Sequence, residues 1–212
     1  MKKSLSGIYR RLYSYFGPQQ WWPAQSRFEV MVGAVLTQNT SWPNVEKAIG
    51  NLKDKGLLKP KKLYSLKNAR LAKLIRPAGY YNLKAKRLKN LLRFFIQRYQ
   101  GNVGKMALVE AKALRQELLG VNGIGPETAD SILLYGLGKP VFVVDAYTKR
   151  ILSRHGIIGE GMDYDGVQKL FMLGLKKDAR LFNEYHALLV KLGKDFCLKV
   201  KPRCLTCPLR LK

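Results

Sequence analysis

Residues 120–130 read GVNGIGPETAD. Three glycines within six positions run straight into a proline and a helix-forming stretch. Glycine takes positive φ without steric cost and lets another backbone or a ligand come close. Proline suits the first position of a helix, where its missing N–H removes no intrahelical bond. The stretch therefore reads as a helix, a tight turn and a second helix opening at Pro126. Amides around Gly123 and Gly125 would point outward at the positive end of that second helix, a setting that favours an anion. A nucleotide loop of Rossmann or Walker type also uses glycines, but it requires a preceding strand, and the Walker form needs Gly-Lys-Ser/Thr. Here the preceding segment, ALVEAKALRQELLG (107–120), has helical spacing and the lysine is absent. What remains is a helix–hairpin–helix gripping a nucleic-acid backbone, or a plain turn between helices.

Helical periodicity extends in both directions from this point. SLSGIYRRLYSYFG (4–17) is amphipathic and closes at Gly17-Pro18. SRFEVMVGAVLTQN (26–39) has an N-cap candidate in Ser26 and is apolar nearly all round, which predicts a buried central helix. SWPNVEKAIGNLKDKG (41–56) carries Pro43 in its first turn and Gly56 past its end. Further helices are expected over 67–79, 82–101, 107–120, 126–138 and 145–156, with at least two more in the C-terminal third. KPVFVV (139–144) is the one strand-like segment, and an isolated run of this length makes no sheet. The expected class is all-α.

The 212 residues include 39 Lys+Arg and 14 Asp+Glu, a formal charge of +25. The basic residues are spread along the chain, from MKK through LKPKK, NLKAKRLKNLLR and LKKDAR to VKPRC. A disordered basic tail would concentrate them instead. Such a surplus points to a polyanionic partner, nucleic acid ahead of acidic membrane. Neither a signal peptide nor an apolar run long enough to span a membrane is apparent. A monomer in a prokaryotic cytoplasm, associated with the nucleoid, is the expectation. Cys197, Cys204 and Cys207 cluster near the C-terminus, and an odd set in a chain without an export signal reads as metal ligation rather than disulfides. His155 and His186 have no metal or catalytic spacing and are read as structural. Asp145 follows a run of apolar residues and precedes a basic helix, so it is an N-cap candidate. A carboxylate so placed can also face a cationic transition state or orient a water.

Taken together, GVNGIGPETADSILLYGLGKPVFVVDAYTKRI (120–151), FEVMVGAVLTQNT (28–40) and CLKVKPRCLTC (197–207) resemble the endonuclease III superfamily of helix–hairpin–helix DNA glycosylases. The resemblance implies two all-helical domains, with DNA in the cleft between them and the damaged base flipped out, as chemistry on a stacked base requires. The corresponding division is a six-helix domain over 28–139 carrying the hairpin, and a second helical domain from 1–27 plus 140–212 carrying the aspartate and the cysteine loop. Asp145 matches the family's catalytic aspartate. Gln38, Asn39, Val121, Gly123 and Gly125 match positions that contact DNA, with Gln38 helping to fill the gap left by the flipped base. Bifunctional members carry a Schiff-base lysine where this chain has Glu127, and a carboxylate forms no imine. That implies a monofunctional enzyme, with Asp145 assisting water. A bifunctional glycosylase/AP lyase using another lysine, and a non-catalytic damaged-DNA-binding protein, are the alternatives.

WWPA (21–24), LTQNTSW (36–42) and RPAGYYNLKAKRL (76–88) further resemble the endonuclease-III-like 3-methyladenine branch. In that branch Trp21, Trp22, Pro23 and Trp42 would line the base pocket, Trp42 standing where the branch has another aromatic. Electron-rich rings suit a cationic alkylated purine. Cys197, Cys204 and Cys207 match three of the four ligands of the family's [4Fe-4S] loop; the fourth would fall at position 213. A zinc ion is the alternative occupant.

Overall fold

The computed structural model describes residues 4–210, so the MKK cluster lies outside the described part. The helices are α1 (Leu5–Phe16), α2 (Arg27–Leu36), α3 (Trp42–Asp54), α4 (Pro60–Ser65), α5 (Asn68–Leu74) and α6 (Tyr81–Tyr99). They continue as α7 (Val103–Leu108), α8 (Ala111–Leu119), α9 (Pro126–Ser131), α10 (Ala146–Arg154), α11 (Tyr164–Gly174) and α12 (Ala179–Asp195). Among the described residues there is no strand, and the class is all-α.

Where the periodicity predicted one helix the structure sometimes has two pieces. The stretch 67–79 divides into α5 and a 3-10 turn at Arg76–Ala78, because Pro77 disfavours α geometry in the residue before it. The stretch 107–120 breaks before Glu110, whose carboxylate caps α8 by accepting from Ala113 N at 3.0 Å. The helix opened by Pro126 runs into a π-helical turn at Ile132–Gly136.

Two compact units are present: Ala24–Leu137, and the residues on either side of it, through Pro23 and from Gly138 onward. The first is built around α2. Every residue from Phe28 to Leu36 is buried, and the helix packs on α3, α6, α9 and the π turn. Its start is a variant of the capping box. Ser26 Oγ accepts from Glu29 N at 3.1 Å, while Glu29 reaches back to Gln25 N at 3.1 Å and pairs with Lys53 Nζ at 2.7 Å. From α6, Leu88, Leu91, Leu92 and Phe95 complete the core, with Phe95 stacked on Phe28.

In the other unit α12 is the buried element, with α1 and α10 packed on it. The strand-like segment explains itself here. Val141 to Val144 are buried as extended chain, and side chains take the part of a neighbouring strand. Gln168 Nε2 donates to Phe142 O at 2.6 Å, and Val144 N donates to Tyr164 Oη at 3.3 Å. Phe142 stacks face to face on Phe171 at 3.7 Å, and Tyr185 Oη donates to Leu5 O at 2.9 Å. Burial pushes the Tyr185 phenol well above its ordinary range, so it stays protonated.

The contact of α10 with α12 depends on Gly193, where a Cβ would meet Tyr147 Cδ1 at 2.3 Å and Cβ at 2.9 Å. Because the root of the tyrosine is involved, a rotamer change cannot relieve the clash. Gly193→Ala is therefore expected to destabilise the protein by about 1–3 kcal/mol, the usual range for overpacking. Urea unfolding checks this, and an unchanged midpoint would show that the two helices are not in tight contact there.

Candidate functional site

The hairpin begins where α8 ends. Val121 N donates to Leu118 O at 3.0 Å, and Ile124 N donates to Val121 O at 2.9 Å, closing the turn. Val121 and Ile124 are buried beneath it, so both backbone polar groups of Val121 are engaged. Gly123 has φ +92°, and a Cβ there would lie 2.3 Å from Arg87 Cγ. Glycine is thus required twice, by backbone conformation and by the arginine stem against it. The amides of Gly123 and Gly125 donate to no acceptor among the described residues. The flanking helices are tied by Arg115, whose Nε and Nη2 donate to Asp130 Oδ1 and Oδ2 at 2.8 and 3.1 Å. Asp130 is fully buried, and the paired geometry is what keeps such a charge tolerable. Glu127 is exposed in the first turn of α9, where the helix dipole favours a carboxylate.

Gln38 lies on the turn after α2 and joins this hairpin. Its Nε2 donates to Gly123 O at 3.1 Å and to Thr128 Oγ1 at 2.9 Å, and its Oε1 accepts from Arg87 Nη1 at 2.6 Å. Asn39 is exposed beside it with φ +51°. Burial and the nearby Arg87 charge pull Lys84 down to about 8. A depressed amine suggests a nucleophile, but Lys84 is only 1% exposed, and Nζ donates to Leu36 O at 2.8 Å and Ala78 O at 2.7 Å. Its place is structural.

In the second unit Asp145 is the N-cap of α10. Its Oδ1 accepts from Thr148 N at 2.7 Å, and its Oδ2 lies 3.6 Å from His186 Nε2. The Asp145 side chain is 13% exposed and that of His186 only 6%. Burial pushes the Asp145 carboxyl up, but the His186 imidazole and the Thr148 amide and hydroxyl outweigh it, holding the group below the usual carboxylate range. The result is a carboxylate kept ionised with little water around it. Reading His186 as merely structural missed this pairing. The signal available was a lone imidazole in the apolar stripe of EYHALLV (184–190).

Trp21 and Trp22 are half-buried in the loop before Pro23, their rings edge to face at 6.0 Å. That loop is pinned to α12 by Gln19 N donating to Glu184 Oε1 at 2.7 Å, and Lys194 Nζ stands 6.0 Å from the Trp21 ring. Trp42 belongs to the other unit, as the first residue of α3.

The cysteines do not behave as a prepared cluster site. Cys197 is buried, Cys204 is exposed, and no group of three or more His, Cys, Asp or Glu able to hold a metal occurs among the described residues. Arginines organise the loop instead. Arg150 Nε donates to Cys197 O at 2.8 Å, and Arg154 donates to Leu198 O at 2.6 Å and Lys199 O at 3.0 Å. Arg154 Nη1 also lies 3.4 Å from Cys197 Sγ. Among the described residues the three thiols are not gathered into one metal-binding group.

The family model described as HhH-GPD superfamily base excision DNA repair protein matches residues 32–177. The chain belongs to the HhH-GPD superfamily, and its class is DNA glycosylase of base excision repair. It is 53% identical over 205 residues to a candidate DNA repair glycosylase of Methanocaldococcus jannaschii, covering 96% of this chain and 92% of that one. The H. pylori 3-methyladenine DNA glycosylase bound to 1,N6-ethenoadenine superposes with a TM-score of 0.79 at 33% identity, over 91% of this chain and 98% of that one. An endonuclease III–DNA complex has the same fold, with a TM-score of 0.81 at 23% identity, over 95% and 89% of the two chains. No helix among the described residues is long and apolar enough to cross a membrane.

The Asp145–His186 pair makes a pH prediction. A carboxyl whose folded pKa is depressed adds stability that is full above its unfolded value, about 3.9, and is lost as pH falls through the folded value. His186→Asn removes the imidazole that holds this carboxyl down, so the variant should be less stable at neutral pH and lose less stability on acidification than the parent. Urea midpoints measured from neutral to acid pH test it. Superimposable acid limbs for the two proteins would refute the role given to His186.

Proposed function

We propose that this DNA glycosylase is monofunctional, hydrolysing the N-glycosidic bond of an alkylated purine without cutting the strand. Two observations carry the reading: Asp145 is held as a carboxylate, and Glu127, not an amine, stands where a lyase needs its lysine. Likeness to a glycosylase seen with 1,N6-ethenoadenine supports the substrate class. So do the electron-rich rings of Trp21 and Trp22, in the same unit as Asp145, since they attract a positively charged base.

Duplex DNA is held by its phosphates on the Gly123 and Gly125 amides and the many basic side chains, while Gln38 and Asn39 meet the strand where the base has left. As the bond from the sugar to the base breaks, its electron pair moves to the ring. An alkylated purine is thereby neutralised and departs readily. The sugar gains positive charge, which the Asp145 carboxylate stabilises through space. Water adds at the anomeric carbon and gives up a proton to Asp145, leaving an abasic site on an intact strand.

A duplex treated with a methylating agent should show strand breaks only after hot alkali. Asp145→Asn should slow single-turnover base release by about a hundredfold or more. Breaks without alkali, with a complex trapped by borohydride, would overturn the monofunctional reading. Full activity in Asp145→Asn would overturn the role of the aspartate.

A further inference from the structure

Arg87 has two contacts with the hairpin assembly, and they serve different purposes. Its aliphatic stem lies against Gly123 closely enough to exclude a side chain there. Its guanidinium Nη1 donates to Gln38 Oε1 at 2.6 Å. Guanidinium has donors only, and the Gly123 carbonyl that Gln38 Nε2 meets has acceptors only, so the two fix which end of the carboxamide is oxygen. With Thr128 Oγ1 as third partner, the Gln38 side chain is bonded at both ends. Lys84, one helical turn earlier on α6, holds the same turn from behind by donating to Leu36 O at 2.8 Å.

Two cations one turn apart repel each other. The Arg87 charge helps burial to pull Lys84 down to about 8, so the arrangement is electrostatically unfavourable in itself. It is held in place by what the two side chains bind.

We infer that Arg87 is a positioning residue that locks the Gln38 turn to the glycine hairpin, so that the phosphate clamp and the side chain entering the base stack move as one piece. This rests on the roles proposed above for Gln38 and the hairpin. A half-buried guanidinium already committed to Gln38 is not a simple phosphate contact, and that separates the inference from general DNA affinity.

The test uses the full chain and a duplex with 2-aminopurine beside an alkylated base or an abasic-site analogue, where fluorescence rises as stacking is broken. Arg87→Met keeps the stem over Gly123 and removes the guanidinium. Its affinity for undamaged duplex should stay within about threefold of the parent, since the guanidinium is engaged by Gln38 rather than offered to phosphate. The fluorescence rise and single-turnover base release should slow about tenfold, the usual weight of a charge-assisted hydrogen bond. Adding Arg87→Met to Gln38→Ala should cost nothing further. Thr128→Val removes another partner of the same carboxamide and should give a smaller loss of the same kind, which keeps the test open should Arg87→Met not fold.

Equal losses in undamaged-duplex affinity and in fluorescence would make Arg87 a phosphate contact and overturn the inference. Additive losses with Gln38→Ala, or a larger fluorescence rise on undamaged DNA, would overturn it too. A wild type that breaks stacking but releases no base would sink the glycosylase mechanism and leave the fluorescence test of Arg87 standing.

Discussion

A carboxylate that must stay ionised while nearly buried is the constraint around which one unit is arranged. Burial alone would push the Asp145 carboxyl up. The fold counters it from two directions, with the first-turn amide of α10 and with an imidazole on α12. Both depend on the register between these helices. That register is set by close approach at Gly193 and by Arg150, which donates to Gly193 O at 3.1 Å. The apolar segment 139–144 delivers Asp145 to the head of α10 while its own backbone is satisfied by Gln168 and Tyr164. One helix thus has the aspartate at its start and Arg150 and Arg154, which organise the cysteine loop, further along.

The hairpin unit solves the opposite problem, of keeping donors available. The end of α2 and the glycine turn both present unsatisfied backbone groups, as helix ends must. Carbonyls there are taken up by Lys84 and Gln38, while the Gly123 and Gly125 amides are left without acceptors. A surface that keeps donors and hides acceptors is one shaped for an anion.

The helical class, the hairpin, and the caps at Ser26 and Asp145 were legible because each rests on local chemistry. Glycine, proline and small polar residues act within a few positions of themselves. Pro126 and Gly123 are where the sequence put them. Breaks inside long periodic stretches were less legible. The apolar spacing continues across Glu110 and across Pro77, and only cap geometry shows where the helix stops. The partners of Arg87, Arg115 and His186 were not legible. They lie 49, 15 and more than 40 positions away, at Gln38, Asp130 and Asp145, and a charged residue on a helix looks the same whether it faces solvent or a buried acceptor. The cysteine spacing suggests a cluster loop, but spacing alone does not specify convergence, and among the described residues the thiols form no metal-holding group.

The deployment of the acids connects these points to chemistry. There are 14 against 39 bases, and several are used inside or at helix ends. Glu29 and Asp130 are buried in ion pairs, while Glu110, Asp163 and Asp178 cap helices. With a net charge of +25, the positive field toward a polyanion is strong. Glu127 is an exposed carboxylate in the first turn of α9, beside the glycine turn proposed to meet phosphate. The helix dipole favours it, and in so basic a chain its repulsion of DNA is a minor loss. A carboxylate forms no imine, and in the monofunctional reading proposed above water is the nucleophile. In that reading the work of stabilising the sugar cation falls on Asp145, whose ionisation is supported at two points, by the Thr148 amide and by His186.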